Sequence, residues 1–334
     1  MLSFIRRFST VESLCNELIR KAQIGSVVGG VKDFEALRKT TSKPIPDWAA
    51  VKLASVAQSR KENALAKNVL DTHYLATGAL QRFARNSTVT IEQVKSAVRR
   101  IFAAEGSPES NYSNAKQFYK RLIEYRFCPN RDALLRIFVE DLISRNVATK
   151  DILKEFHEVR AFGAKERKTI TESLFLILEN AYSRGEEQLA KEVLEQIGSP
   201  LQKSCLEGCV KLANGRGIEF FDELKNENRE LQKSEVEFIC KLAKSLNRET
   251  MVIALFELPA HNFSSDKLLE IYGTAVEIAG KKGDKNTLEK IWQLLKQEQG
   301  GRNEFKPVLL KMKHFYKCLN LVMPEDLSKR VKYM

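Results

Sequence analysis

The segment Glu270–Lys296, EIYGTAVEIAGKKGDKNTLEKIWQLLK, reads as two helices folded back on each other. Its first half is an apolar helix with Tyr272 near the start. Lys281-Lys-Gly-Asp284 then supplies a glycine where a helix must stop and turn. The second half is lined by Leu, Ile and Trp, with Trp292 the largest of them. One such hairpin cannot bury its apolar face alone, so it demands neighbours of its own kind.

Those neighbours recur from about residue 130 onward. Helix openings are expected near Arg131, Thr169, Leu201, Ser234 and Asp266, spaced 38, 32, 33 and 32 residues apart, with a partial unit after Phe305. Arg184–Gly185, Asn214–Gly215, Asn247–Arg248 and Lys282–Gly283 mark the turns inside the pairs. Such periods signal stacked helical hairpins. Residues 11–129 are also helical in character but yield no clean period. They predict a helix at Val11–Ala22, a glycine-rich break at Gly25–Gly30, and a short helix at Asp33–Lys39. Pro44 and Pro46 close this lead-in. A helical stretch from Asp47 to Arg85 is broken near Ser59–Glu62 and Thr77–Gly78. Thr90 and Gln93 make a capping box for a helix to Glu105, and Asn111–Phe127 forms the next.

Composition agrees with an all-α fold. Only 8 Pro and 16 Gly occur in 334 residues, below the average usage of about 5% and 7%, too few for a turn-rich sandwich or Rossmann domain. With 43% hydrophobic and 29% charged residues the chain is neither disordered nor a membrane protein. No stretch approaches the roughly 20 apolar residues of a membrane span. The expected architecture is an α-solenoid of stacked antiparallel helical hairpins. Its parts are a leader at 1–10, lead-in helices at 11–45, a basic helical region at 46–129, repeats at 130–300, and a basic capping helix and tail at 301–334.

Met1–Thr10, MLSFIRRFST, is short, acid-free, amphipathic, and carries Arg and Ser. That is the pattern of a mitochondrial import sequence, and Arg6–Arg7 interrupt the apolar run a secretory signal needs. Arg7-Phe8-Ser9 also resembles a matrix peptidase site, so a mitochondrial matrix address is expected. The net charge of +12 is unevenly placed. Residues 1–130 carry 21 basic and 11 acidic side chains, whereas residues 131–334 carry 34 and 32. A basic front half points to a polyanionic partner. The six cysteines are scattered through apolar helical stretches, as reduced core thiols are.

The unit at Glu270–Lys296 resembles a pentatricopeptide repeat, with the turn glycine Gly283 followed nine positions later by the large apolar Trp292. Glu172–Gln196 is similar, with Ala181-Tyr-Ser-Arg-Gly185 at its turn and a small Ala190 where two helices touch. Units near 131–164, 201–225 and 234–258 fit loosely. The tetratricopeptide family is the near neighbour, but no unit carries its fuller aromatic and glycine signature. Among pentatricopeptide proteins, the leucine-rich mitochondrial type is the nearest in character. The resemblance implies single-stranded RNA binding, one base per unit, read by a residue nine positions before the turn glycine. Here that residue is Thr274, with Glu304 as partner. The corresponding Leu176 and Phe238 in other units cannot hydrogen-bond a base edge. RNA contact is therefore expected through charge, shape and stacking rather than a modular code.

The candidate RNA-binding residues are Arg82, Arg85, Arg99, Arg100, Lys116, Lys120 and Arg121, with Lys95 and Arg126 beside them, and Thr274 in the best repeat. Phe83, Phe102, Tyr119 and Tyr125 interleave with these cations. Against that stands the ordinary solvated face of a helix. A second basic cluster, Arg302, Lys306, Lys311, Lys313, Lys317 and Lys329–Arg330–Lys332, reads as a solubilising cap.

No active site is expected. Cys205 and Cys209 lack further ligands for a metal. Gly25–Gly30 has the glycines of a phosphate loop, but Val31-Lys-Asp33 replaces the required Lys-Ser/Thr. His73 reads as structural, and His157 and His261 are isolated. The chain is thus expected to be a binding protein, not an enzyme, with no cofactor, no metal and no membrane span. Mitochondrial single-stranded RNA is the expected partner. A protein-interaction scaffold of the mitochondrial ribosome or a respiratory complex is the alternative.

Overall fold

The computed structural model describes residues 10–41, 44–76, 89–128, 131–162, 171–197, 199–256, 263–298 and 305–332. Among these residues it is all-helical, with 18 helices and no strand. The chain forms two compact units, Met1–Asn180 and Ala181–Met334. The sequence places its main change of character at Pro129. The structural division falls some fifty residues later, because helix pairs of one kind occupy both sides of Pro129.

In the first unit these pairs are α1 (Val11–Ile24) with α2 (Val27–Thr40), α3 (Asp47–Ser59) with α4 (Asn63–Ala76), α5 (Ile91–Phe102) with α6 (Pro108–Glu124), and α7 (Asp132–Ser144) with α8 (Thr149–Ala161). The first helices also pack in series, α1 on α3, α3 on α5 and α5 on α7. α9 (Thr171–Ser183) follows. In the second unit α10 (Glu187–Glu195) is succeeded by α11 (Pro200–Ala213) with α12 (Gly217–Asn226) and α13 (Lys233–Leu246) with α14 (Glu249–Ile253). Then come α15 (Ser265–Lys282) with α16 (Lys285–Glu298) and α17 (Lys306–Cys318) with α18 (Glu325–Lys332). Here too α11, α13, α15 and α17 pack in series.

Local chemistry explains the boundaries. Thr90 and Gln93 exchange side-chain and backbone bonds at 3.3 and 2.9 Å, making the expected capping box of α5. Ser107 caps α6, and Pro108 occupies its first position, where no amide hydrogen is needed. The anticipated openings at 131, 201, 234 and 266 each fall within a residue of an observed helix start, α9 begins two residues after the one expected at 169, and the partial unit expected after Phe305 opens at Lys306. The turns are also as expected. Gly185, Gly215 and Gly283 have φ of 70°, 72° and 72°, and Asn247 has 58°.

Each of these left-handed residues is followed by an amide that bonds the carbonyl five positions back: Glu186 to Ala181, Arg216 to Lys211, Arg248 to Ala243 and Asp284 to Ala279, at 2.8–3.0 Å. This is the Schellman closure of a helix end. The same bond ends α3 through Lys61 (Glu62 to Ala57, 2.9 Å) and α7 through Asn146 (Val147 to Leu142, 3.1 Å). The hairpin period of the first unit is hidden in the sequence because a lysine holds one of its left-handed positions.

The expected break at Gly25–Gly30 is a misreading. Gly25 does end α1, but α2 begins at Val27 and runs through Gly29 and Gly30. Ser26 caps it by accepting from the Gly29 amide at 3.1 Å. Gly30 is a packing residue, since a Cβ there would lie 2.6 Å from the Ala22 Cβ. Gly280 plays the same part in the second unit, where the Phe315 ring occupies the space of a Cβ.

The helix α9 is opened by a carboxylate from α7. Asp132 accepts from the amides of Glu172 (2.6 Å) and Ser173 (3.0 Å) and from the Ser173 hydroxyl (2.6 Å). Burial is the largest influence on this carboxyl and raises its pKa from 3.8 to about 6, against the three hydrogen bonds that favour the charged form. The folded state then holds the proton more tightly than the unfolded chain, whose carboxyl titrates near about 4. The contribution is full below that pH and is lost as pH rises through the folded value. Relative to Asp132→Asn, the unfolding free energy of the natural chain should drop by roughly 1–3 kcal/mol between pH 4 and 7. Urea denaturation at the two pH values measures it, and parallel curves for the two proteins would reject it.

Candidate nucleic-acid interface

α5 buries Val94, Ala97, Val98 and Ile101, one face at helical spacing, and carries Arg99 and Arg100 in its last turn. Arg99 is exposed and stands 3.5 Å from Glu140 on α7. Glu140 in turn pairs with Arg136 at 3.0 Å, and Arg136 reaches Glu172 at 3.0 Å. Arg99 is thus the outer member of a charge ladder along the first helices.

Arg100 is placed differently. Burial lowers its pKa, and no carboxylate among the described residues pairs with it. Its guanidinium lies against the Gln23 side-chain amide of α1, whose oxygen accepts at 3.1 Å when the amide is turned to present it. A half-buried cation with only a neutral partner is poorly compensated.

The α6 cations differ from one another. Lys116 is held by Glu155 at 2.7 Å and Glu158 at 3.1 Å, both on α8. Burial works against its charge, but these two hydrogen bonds prevail and raise its pKa. Lys120 is exposed, 5.8 Å from the centre of the Phe162 ring. Arg121 is half-buried, and its Nη1 is buried without a hydrogen-bond partner. Lys95 pairs with Glu92 at 3.0 Å. Tyr119 is core, and Tyr125 donates its hydroxyl to Asp71. Arg82, Arg85 and Phe83 lie outside the described residues, as do Arg302 and Glu304.

Thr274 is fully buried, with its hydroxyl 3.5 Å from Glu270 in the core of the second unit. A base cannot reach it there. Leu176 is buried as well. The base-reading position of the resemblance therefore falls on packing residues.

Compared with family models and with curated proteins, the chain matches none.

The sequence reading missed a cleft of about 410 Å³ between α1, α3 and α5. One wall is a single face of α3: Trp48, Val51, Lys52 and Ser55. The opposite wall is a face of α5: Glu92, Gln93, Ser96, Ala97 and Arg100. Asn16 of α1 completes it. Trp48 and Lys52 are half-buried, and no acid among the described residues pairs with Lys52. The i, i+4 spacing of an aromatic and a cation was the available signal. It is inconspicuous until α5 brings Arg100 alongside.

A second cleft, about 390 Å³, lies between α13, α15 and α17. Its charges are mixed and joined. Lys233 meets Asp266 at 3.8 Å, Lys244 meets Glu270 at 3.4 Å, and Lys311 meets Glu277 at 3.8 Å. A hydrogen bond from Lys281, helped by Lys244 and Lys311, holds the Glu277 carboxyl below its ordinary range. The C-terminal basic cluster is compensated in part: besides Lys311 with Glu277, Lys329 pairs with Glu325 at 2.6 Å.

The buried candidates among the rest are packing groups. Five cysteines are buried and Cys318 is exposed. Burial pushes the thiols of Cys15 and Cys205 up to about 11 and that of Cys240 up to about 12. His73 is buried, bonded to Asp47 at 2.9 Å and set between Phe34 and Phe127, the structural role anticipated for it. No helix of the described residues is long and apolar enough to cross a membrane.

Proposed function

We propose that this chain is a mitochondrial helical-repeat protein that binds single-stranded RNA and supports transcript stability, processing or translation. In this reading its hairpins form an α-solenoid of degenerate pentatricopeptide type. The paired helices, whose first members pack in series within each unit, support the architecture. The leader-like residues 1–10 support the address. The observation that carries the binding role is the contrast between the two clefts. The first unit, with 30 basic and 20 acidic residues in 1–180, sets Lys52 and Arg100 in a cleft without acidic partners. In the second, carrying 25 and 23, Lys233 and Lys311 of the cleft meet Asp266 and Glu277, and three lining cations are balanced by three lining acids. Uncompensated cations along a groove are what a phosphate backbone needs.

The test is a titration of the full chain with a mixed-sequence single strand at about 50 and 200 mM salt. With six or more phosphate contacts, affinity should fall roughly 10³-fold over that range. Reversing charge at Arg99, Arg100 and Lys120 should abolish most of the binding at the lower salt. Lys116→Gln should change affinity by no more than about twofold, because Glu155 and Glu158 already neutralise it. No binding at about 50 mM salt overturns the proposal.

A protein-scaffold role in the mitochondrial ribosome or a respiratory complex is the second reading. The compensated cleft of α13, α15 and α17 favours it for the second unit, since a neutral helical groove suits a protein partner. Retention of a ribosomal or respiratory subunit by residues of that cleft, lost on Lys311→Glu, would favour it over RNA binding.

A further inference from the structure

We infer that the cleft between α1, α3 and α5 holds one unstacked nucleotide of the bound strand, its base against the Trp48 indole and its phosphate between Lys52 and Arg100. This rests on the RNA reading above and deepens it by naming the ligand's chemistry and the residues that take each part.

The size fits: about 410 Å³ lies within the range of about 300–1,000 Å³ typical of small-molecule sites. The lining is divided as a nucleotide is divided. Trp48, Val51 and Ala97 give an apolar aromatic side for a base. Asn16, Gln93, Ser55 and Ser96 give short polar groups for its edge and ribose. Lys52 and Arg100 give two positive charges for one phosphate. The single acid in the lining, Glu92, faces Lys95 at 3.0 Å, so it does not cancel them. A guanidinium held by burial without an acid gains most when a phosphate arrives, because charge-assisted bonds replace a neutral amide. Base stacking on an accessible aromatic face is sequence-tolerant. That agrees with the burial of Thr274 and Leu176, which keeps these two side chains from reading a base.

The chain carries its own reporter. Trp48 and Trp292 are its only tryptophans, and Trp292 is buried and bonded to Asp326 in the other unit. In a Trp292→Phe background all tryptophan emission comes from Trp48. Titrating the full chain with a short single-stranded oligouridylate at about 50 mM salt should quench that emission along the same curve as the anisotropy of a labelled strand. Trp48→Leu should weaken strand binding about tenfold, and Trp48→Tyr, which keeps a stacking face, should restore most of it. Uridine monophosphate alone should quench weakly, at millimolar concentration, and compete with the strand. The anisotropy curve separates the two claims. Strand binding with unchanged Trp48 emission and unchanged affinity for Trp48→Leu overturns this site while leaving RNA binding intact. Quenching by the mononucleotide without competition against the strand also overturns it. No strand binding overturns both. Thermal melts confirm that the Leu and Tyr variants fold alike, and if Leu does not, Lys52→Gln read by anisotropy takes its place with an expected loss of several-fold.

Discussion

Phe138→Ala should destabilise the first unit by about 3–5 kcal/mol, the cost of emptying a large aromatic site in a close-packed core. Phe138 is 1% exposed. Its ring centre lies 5.5 Å from Phe102 and 5.8 Å from Tyr112, both edge-on, and 5.3 Å from Tyr119. Aromatic pairs in such geometries contribute about 0.5–1.5 kcal/mol beyond the area they bury. The three partners come from α5 and α6, so one side chain of α7 ties the neighbouring hairpin in place. Three helices meet at this site, and collapse into the cavity is limited. Phe138→Leu, which keeps most of the volume, should lose no more than about 1.5 kcal/mol. Urea denaturation followed by far-ultraviolet dichroism gives both numbers. A loss below about 1.5 kcal/mol for the alanine variant would mean that the cluster does not anchor the α5–α6 hairpin. Under the proposed RNA reading, strand binding should fall with it, because Arg99 and Arg100 stand on α5.

Trp292→Ala should cost the second unit a comparable amount, about 3–5 kcal/mol. Trp292 is 2% exposed on α16. Its indole N–H donates to Asp326 on α18 at 3.0 Å, and Lys296 donates to the same carboxylate at 2.7 Å while lying 5.7 Å from the indole centre. The hydrogen bond from Lys296 is the largest cause holding the Asp326 carboxyl below its ordinary range, ahead of that from Trp292. Truncation removes the ring and one donor together. Trp292→Phe separates the two, keeping the packing and losing the donor, and should cost only about 1 kcal/mol because Lys296 still satisfies the carboxylate. Guanidinium melts of the two variants measure the difference. Equal losses would show that the hydrogen bond rather than the ring holds α16 to its neighbours. The mild Phe variant is also what makes Trp48 usable as a lone fluorophore.

Some of this is legible in the sequence. Trp292 is conspicuous there because it follows the turn glycine of the best-formed unit. Phe138 is not, since it lies among Leu135, Ile137, Val139 and Leu142 in a run where every one of these is apolar enough to be core. Helix openings and turns are plain in the second unit, where Gly185, Gly215, Asn247 and Gly283 announce left-handed closures. They are obscure in the first, where Lys61 adopts the same conformation without any compositional sign. The glycines at 29 and 30 mislead for the converse reason, because a glycine needed for close helix approach looks the same as one that breaks a helix.

The sequence by itself determined that this chain is helical, where the leading helices of its later hairpins open and turn, and that its front half is basic. These follow from interactions a few residues long: capping bonds, 3.6-residue periodicity, and left-handed closing residues. Only the tertiary structure decided which charges are available. Arg100 and Lys116 look alike in sequence, each a cation near an aromatic residue on an amphipathic helix. Glu155 and Glu158, 39 and 42 residues away, neutralise Lys116. Arg100 instead meets Gln23, which lies in α1, and lines a cleft with Trp48 of α3. Charge compensation acts between helices that the chain separates by tens of residues, so it is settled by how hairpins stack and not by what stands beside a cation in the chain.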